Sequence, residues 1–572
     1  MNVLTKLYLI QHILKWRLTW DKRNTRWAYK IPDNPKFMGP RDAVALIPDE
    51  AVVATSGLAG NQRQAIMYWA LREVFLETGR PRGLTFICTG GQGDRGKIPG
   101  TMEEVALEGL NKCLIAGHLE TFKAQLKLGA EGKMQIQCVP QGTLAMLLEA
   151  QGQGEQSLLS NAGVGTFIDP RVGSGSAISS PDLEQLVTVE DNKLRYRLPK
   201  INVAMFGAPA ADKKGNLYLA NASMVAETYE ITRAARHNGG RVIASVGCIV
   251  KEDPAAISIP ASDIDAIVYH PDAQQSTSVP HRRYWPMLTT HSDMSIQEGI
   301  QRLQFINGIL GITPRRTAVD DAIARLAAAS FVEQAHKGMM ANIGVGLPEE
   351  VCRILFQAGA LRDVTIFTES GVMGGLPAPG VFFGAAVCPE RMVSSAQIFK
   401  MCYERLDVTV LGVAEADGAG NVNVSKRSDK VSDYIGPGGF IDLTTAAKTI
   451  IFISAWMNSA QVELVGDQIK ITKPGRPKFI DKVSEITFCG RQAIENGKKV
   501  LFCTTVGLFE LTARGMELVR VMPGIDIKRD IIDGCSMPVI VPDRVPLVDA
   551  SIVTGRGLKL AVAGQPPRTA TV

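Results

Sequence analysis

The sequence predicts an α/β protein made of two pseudo-symmetric open α/β domains with largely parallel sheets, preceded by a basic amphipathic helix. Three observations carry this. Short β-branched runs such as Thr409–Val413, Thr449–Ile453 and Lys499–Phe502 are apolar on both faces and alternate with helical stretches, the pattern of parallel strands covered on both sides. At 572 residues the chain is too long for one core. Finally, three landmarks recur in the same order. Ala54-Thr55-Ser56-Gly57-Leu58-Ala59-Gly60-Asn61 resembles Ala341-Asn342-Ile343-Gly344-Val345-Gly346-Leu347-Pro348, Leu84-Thr85-Phe86 resembles Val364-Thr365-Ile366, and Ala211–Leu217 resembles Ala416–Val422. Ordered landmarks at drifting offsets indicate a duplicated domain carrying different insertions.

The elements follow in chain order. In the first thirty residues Val3, Leu7, Ile10, Leu14 and Leu18 recur at helical spacing, with Trp16, Trp20 and Trp27 among basic residues. A packing or oligomer-contact helix is the preferred reading of this segment. Attachment to a membrane surface through residues 1–30 is possible but not favoured, because the apolar stripe is short and interrupted. A mitochondrial-type presequence is a third option. The polar stretch around 271–316, with its prolines and histidines, is the best domain boundary. Val319, Ile323, Leu326 and Phe331 then mark one face of a helix over 317–334. The resulting division is an extension over 1–35, a first domain over 36–300 and a second over 301–572.

Composition excludes several classes of function. The formal charge of +5 is local. Residues 1–30 hold Lys6, Lys15, Arg17, Lys22, Arg23, Arg26 and Lys30 against Asp21 alone, so the remainder is near neutral and gives no argument for nucleic-acid binding. The ten cysteines are scattered with no C-x-x-C pair, which fits free thiols in a reducing compartment better than disulfides or a metal site. No apolar run is long enough to span a membrane, and the N-terminus lacks the form of a secretory signal. The expected location is cytoplasmic.

The stretch with most chemical content is Phe367-Thr368-Glu369-Ser370-Gly371-Val372-Met373-Gly374-Gly375. A buried strand, Val364–Phe367, ends on a carboxylate followed by a glycine-rich turn, at the strand end where open α/β proteins place their chemistry. With no His or Cys beside it, Glu369 suits a nucleophile or base better than a metal ligand; the alternative is a plain connecting turn. The duplication sharpens the choice. The matching position in the first half is Thr89, in Thr89-Gly90-Gly91-Gln92-Gly93-Asp94, so only one half keeps a carboxylate and a site between the halves is expected.

Beyond these residues the chain resembles the family I CoA-transferases, most of all the single-chain acyl-CoA:acetate/3-ketoacid and propionate types. The resemblance runs from about Phe37 to about Asp549. It includes Val139-Pro140-Gln141-Gly142, Gly163–Arg171, Asn342–Pro348, the Glu369 motif, Gly420-Asn421-Val422-Asn423-Val424-Ser425-Lys426, Gly436-Pro437-Gly438-Gly439-Phe440 and Pro523–Asp530. It implies two domains of the CoA-transferase type and a ping-pong transfer of CoA, from a short-chain acyl-CoA to an acid such as acetate or a 3-oxoacid, through a glutamyl-CoA thioester on Glu369. It also implies an oxyanion site made by the Gln141 side chain and the Gly438 N–H, with Gly439 adjacent. Asn423 would contact the substrate carboxylate, with an Asx-type turn as the alternative. Gly344 and Gly346 would offer N–H groups to CoA or only pack their turn.

The implied partners are acyl-CoA and a carboxylic acid, with coenzyme A a substrate rather than a cofactor, no metal, and a homo-oligomer (dimer or tetramer). Relatives carry a glycine-rich segment before Leu406, whereas this chain has Phe399–Arg405, so the resemblance sets neither the loop conformation there nor the acyl group accepted. An acyl-CoA hydrolase on the same scaffold is the rival activity, and a non-catalytic CoA or sugar-phosphate sensor is a weaker one.

Overall fold

The computed structural model describes residues 1–19, 24–26, 29–59, 61–93, 99–271, 286–311, 313–560, 562 and 568–569. Trp20, Asp21, Lys22, Arg23, Trp27, Gly60 and Asp94, named above, lie outside them, as do residues 272–285 and 312 of the expected boundary stretch.

Two sheets form the body. Strands β1 (Val52–Thr55), β2 (Leu84–Cys88), β3 (Asn111–Ala116), β4 (Gln135–Cys138), β5 (Val203–Asp212), β6 (Arg241–Val250) and β7 (Ala266–Tyr269) pair in parallel in the order β7-β6-β5-β1-β2-β3-β4. The second sheet contains β8 (Met339–Ile343), β9 (Val364–Phe367), β10 (Val372–Met373), β11 (Arg391–Met392), β12 (Val408–Gly412), β13 (Thr449–Ser454), β14 (Lys499–Thr504), β15 (Gly507–Thr512) and β16 (Gly515–Val521), ordered β11-β10-β9-β8-β12-β13-β14-β15-β16. Its central strands β9-β8-β12-β13-β14 are parallel, and β10, β11, β15 and β16 add antiparallel edges.

The two sheets share one topology. The path β7-β6-β5-β1-β2 of the first corresponds in order to β14-β13-β12-β8-β9 of the second. Each landmark pair of the sequence falls on a matched strand or just beyond it: Ala54 and Ala341 on β1 and β8, Thr85 and Thr365 on β2 and β9, Ala211 and Ala416 at the ends of β5 and β12.

Helices cover both faces. They are α1 (Val3–Thr19), α2 (Ala65–Thr78), α3 (Gln141–Gly152), α4 (Thr228–His237), α5 (Ile296–Leu310), α6 (Ala318–Val332), α7 (Leu347–Gln357), α8 (Ser395–Arg405) and α9 (Phe440–Ala446). Strand β13 shows why its run is apolar throughout. Ile451 and Ile453 join a cluster with α6 and α7, while Ile450 and Phe452 point the other way, to Phe399, Phe440, Trp456 and Phe502. Helix α6 starts on a capping box between Thr317 and Asp320 and buries Val319, Ile323, Leu326 and Phe331.

Three readings are sharpened. Residues 399–405, whose conformation the resemblance left open, lie in α8, which opens on a capping box from Ser394 and Gln397 and buries Phe399 and Cys402. The stretch 271–316 is more than a linker, since α5 runs across residue 300 and packs Leu303 and Ile306 against Phe382, Ala385 and Val387 of the second half. The apolar stripe of α1 faces outward. Leu9 and Ile13 bury the opposite face against Met287, Leu303 and Ile306, while Val3, Leu7, Ile10, Leu14 and Leu18 are exposed. The helix is apolar on two faces, so the period of the stripe alone did not say which one the protein covers. No described helix is long and apolar enough to cross a membrane.

This assignment of faces is open to measurement. Leu9→Ala removes a fully buried side chain and is expected to raise hydrogen exchange across α1, whereas Leu7→Ala, at a site 57% exposed, leaves it unchanged. Equal protection in the two variants would reverse the assignment.

Candidate active site

Glu369 occupies a tight hairpin between β9 and β10. The Thr368 N–H donates to Val372 O (2.9 Å), the Gly371 N–H returns to Thr368 O (3.0 Å), and the Thr368 hydroxyl donates to Gly384 O (2.9 Å). Gly371 has φ +88°, and a Cβ there would lie 2.0 Å from Val393 O, so this turn admits only glycine. The hairpin directs the Glu369 side chain into a cavity of about 1090 Å³ that lies between the halves. Gln141 and His118 of the first half line it, with Asn342, Gly344 and the Gly436–Phe440 turn of the second.

Both sides of the cavity meet at that turn. A Cβ on Gly439 would lie 2.8 Å from the Glu369 carboxyl carbon and 3.0 Å from the Phe399 ring. The Gly439 N–H, at the start of α9, lies beside the Glu369 carboxylate and favours its ionised form. The Gly438 N–H does not point into the cavity: it donates to Gly117 O (2.8 Å) of the first half, and Gly438 O accepts the Gln141 N–H (2.9 Å). The backbone donor facing the carboxylate is therefore Gly439, one residue beyond the position expected. The Gln141 side-chain oxygen comes within 3.7 Å of where a Gly438 Cβ would stand, which brings the amide to the same turn.

Burial pushes the Glu369 carboxyl up to about 7, the nearby Asp442 carboxylate adds to the rise, and the Gly439 N–H opposes it. Asp442 is itself fully buried, in the first turn of α9, and burial pushes it up to about 6. Its Oδ2 accepts the Gly142 N–H (2.8 Å), and its Oδ1 accepts the Thr143 hydroxyl (2.7 Å) and the Tyr403 hydroxyl (3.0 Å). Sequence reasoning missed Asp442 and Tyr403. The one available signal was an acid set in the apolar run Phe440-Ile441-Asp442-Leu443.

The remaining expected residues divide. Gly344 lines the cavity, while its N–H is used by Val410 O (2.8 Å). Gly346 is not among the lining residues; with φ +93° it caps α7 instead. Asn423 does not meet the expectation of substrate contact. It is fully buried, its amide donates to Glu415, Ser484 (each 2.9 Å) and Lys426 O (3.0 Å), and its Oδ1 accepts the Ser425 N–H (3.0 Å), the Asx-type arrangement that was the alternative. The cavity's cations are all paired: Arg316 with Glu350, Arg353 with Glu350 and Asp321, Arg427 with Glu120. Among the described residues no group of three or more His, Cys, Asp or Glu is placed to hold a metal ion. Chemically, the arrangement sets a carboxylate of raised basicity beside a neutral amide and a helix N-terminus, which suits attack on a carbonyl and stabilisation of the oxyanion formed.

Comparison with known proteins bears on which carbonyl. Residues 194–290 match the family model described as malonate decarboxylase, alpha subunit, transporter. Caffeate CoA-transferase of Acetobacterium woodii is 31% identical over 514 residues, covering 87% of this chain and 93% of that protein. Acetate CoA-transferase YdiF of Escherichia coli K12 is 29% identical over 531 residues, covering 91% and 95%. The crystal structure of the acyl-CoA transferase YdiF from E. coli O157:H7, as a thioester complex with CoA, matches with a TM-score of 0.78 at 28% identity, over 92% of this chain and 96% of that one.

The contact between Gly439 and Glu369 yields a direct test. Gly439→Ala would force its methyl against the carboxyl carbon and is expected to lower kcat by 10²-fold or more, roughly the scale of a lost oxyanion donor, with the melting temperature little changed. Full activity in this variant would place the reacting group elsewhere.

Proposed function

The chain belongs to the family I CoA-transferases, and on that premise we propose that Glu369 is the nucleophile that carries CoA between a short-chain acyl-CoA and a free carboxylic acid, such as acetate or a 3-oxoacid. The observation that carries this reading is the placement of Glu369 in the interdomain cavity, against the Gly439 N–H and across from the Gln141 amide. A Glu369 carboxylate oxygen attacks the thioester carbonyl. The tetrahedral oxyanion expels CoA thiolate and leaves an acyl-glutamyl anhydride. The thiolate then attacks the glutamyl carbonyl, which releases the first acid as a carboxylate and leaves a glutamyl-CoA thioester. An incoming carboxylate repeats the two steps in reverse order and departs as its own CoA thioester. Every intermediate on Glu369 remains an activated acyl group, so the free energy of the thioester is retained through both exchanges.

Each half contributes a different atom type to the oxyanion: a side-chain amide from Gln141 and, at the mouth of α9, the Gly439 N–H. That N–H pairs with the resting carboxylate and becomes available as the carboxylate is consumed. Phe399 and Phe440 close the site from beneath, keeping bulk water from the acyl-enzyme. Hydrolysis on the same scaffold is the competing outcome, and it is separated from transfer by measuring CoA release with and without an added acid.

Two results are expected. Incubating the protein with acetyl-CoA alone produces a CoA adduct on Glu369 visible by intact mass, removed by borohydride and absent in Glu369→Ala; an adduct that survives the substitution refutes the assignment. The second concerns pH. Attack requires the ionised carboxylate, and the folded protein raises this group to about 7, so kcat/KM falls about tenfold per unit as pH drops below that value. An acid limb near 4.5 would contradict it.

A further inference from the structure

Helix α3 begins at Gln141, and its N-cap, Pro140, supplies no side-chain acceptor. A helix start of this kind leaves backbone N–H groups without partners inside the helix. Here those groups end on the other half of the protein. The Gln141 N–H reaches Gly438 O (2.9 Å), and the Gly142 N–H reaches Asp442 Oδ2 (2.8 Å). The Thr143 hydroxyl reaches Asp442 Oδ1 (2.7 Å), and the Thr143 backbone N–H beside it favours the ionised carboxylate. Asp442 thus caps α3 across the domain boundary, a favourable place for a negative charge.

We propose that Asp442 is a positioning residue for acyl transfer: by capping α3 from the opposite half, it fixes the Gln141 amide at the Gly438–Gly439 turn, in register with Glu369. The inference rests on the Glu369 reading above and extends it to a residue that touches neither substrate nor reacting atoms.

Energetics support a positional role. A fully buried carboxylate loses its hydration, and a well-packed apolar side chain in its place is often as stable or more so. What an apolar residue lacks is direction. Asp442 accepts donors from two helices of opposite halves, α3 and α8, the last through the Tyr403 hydroxyl. Close packing rules out sliding at the same place: a Cβ on Gly142 would meet the Phe399 ring at 2.3 Å, so α3 approaches α8 at the distance of bare backbone.

A double-mutant cycle tests the proposal. Asp442→Asn keeps the size of the side chain but removes its charge and one acceptor, so an amide NH2 must face either the Gly142 N–H or the Thr143 and Tyr403 hydroxyls. It is expected to lower kcat by at least tenfold with KM within threefold, the pattern for an interaction felt only in the transition state. In a Gln141→Ala background the same substitution should cost less than threefold, since it acts through an amide no longer present. Thr143→Val removes one α3 donor and keeps the test available if Asp442→Asn does not fold; its smaller loss should vanish in the same background. Additive losses, or a fall in melting temperature with kcat unchanged, would overturn the proposal. Adduct formation on wild-type protein is scored in parallel. Its absence removes the Glu369 reading, whereas its presence alongside additive losses removes only the role of Asp442.

Discussion

The N-terminus of α3 has no cap within its own domain, and the rest of the site follows from how that deficit is met. Buried backbone donors must find acceptors, and these find Gly438 O and the Asp442 carboxylate. The same turn returns a donor in exchange, from the Gly438 N–H to Gly117 O, and Leu119 N–H extends the seam to Ile435 O. Two domains that each have a complete sheet and core are thereby held in one register along a line of short polar contacts. The cavity lies directly on that line, with Gln141 at one lip and Gly439 at the other.

The seam also explains the electrostatics of Glu369. Two carboxylates, the half-buried Glu369 and the fully buried Asp442, lie near one another, and the Asp442 charge disfavours the ionised form of Glu369. Their hydrogen bonds divide them. Asp442 takes donors from Gly142, Thr143 and Tyr403, whereas the lowering influence on Glu369 is the single Gly439 N–H. The better hydrogen-bonded charge is the enclosed one, and the poorly compensated charge faces the cavity. A carboxylate so placed is more basic, and has less hydration to shed before it attacks, than one on the surface.

Much of the fold was legible because duplication writes itself twice. Matched landmarks named β1 and β8, β2 and β9, and the ends of β5 and β12, and the observed strand orders agree. Glu369 was legible because a charge closing an apolar strand and opening a glycine turn has few structural explanations. What escaped the sequence depended on distant partners. Whether Gly438 or Gly439 offers its N–H is decided by Gly117, more than three hundred residues away. The role of Asp442 is decided by α3, equally remote, and the covered face of α1 by Met287, Leu303 and Phe382. Asn423 misled because an Asx turn and a substrate ligand use the same residue type in the same local sequence.

The first half shows what the shared turn becomes without a carboxylate at that position. Thr89 follows β2 as Thr368 and Glu369 follow β9, but it does not line the cavity. Its surroundings are filled by a buried polar network: Thr55 and Tyr68 donate to Gln92 Oε1 (3.0 Å each), Ser56 pairs with the Thr228 hydroxyl (3.0 Å), and the Gly57 N–H reaches Glu227 (3.4 Å). Burial raises Glu227 as it raises Glu369, yet Glu227 is fully enclosed, accepts the Gly57 N–H and does not line the cavity. The two halves therefore hold a glutamate each near equivalent turns, one fully buried at Glu227 and one half-buried at Glu369. Access, set by the hairpin of β9 and β10 and by the glycine at 439, is what distinguishes the carboxylate that faces the cavity from the one that does not.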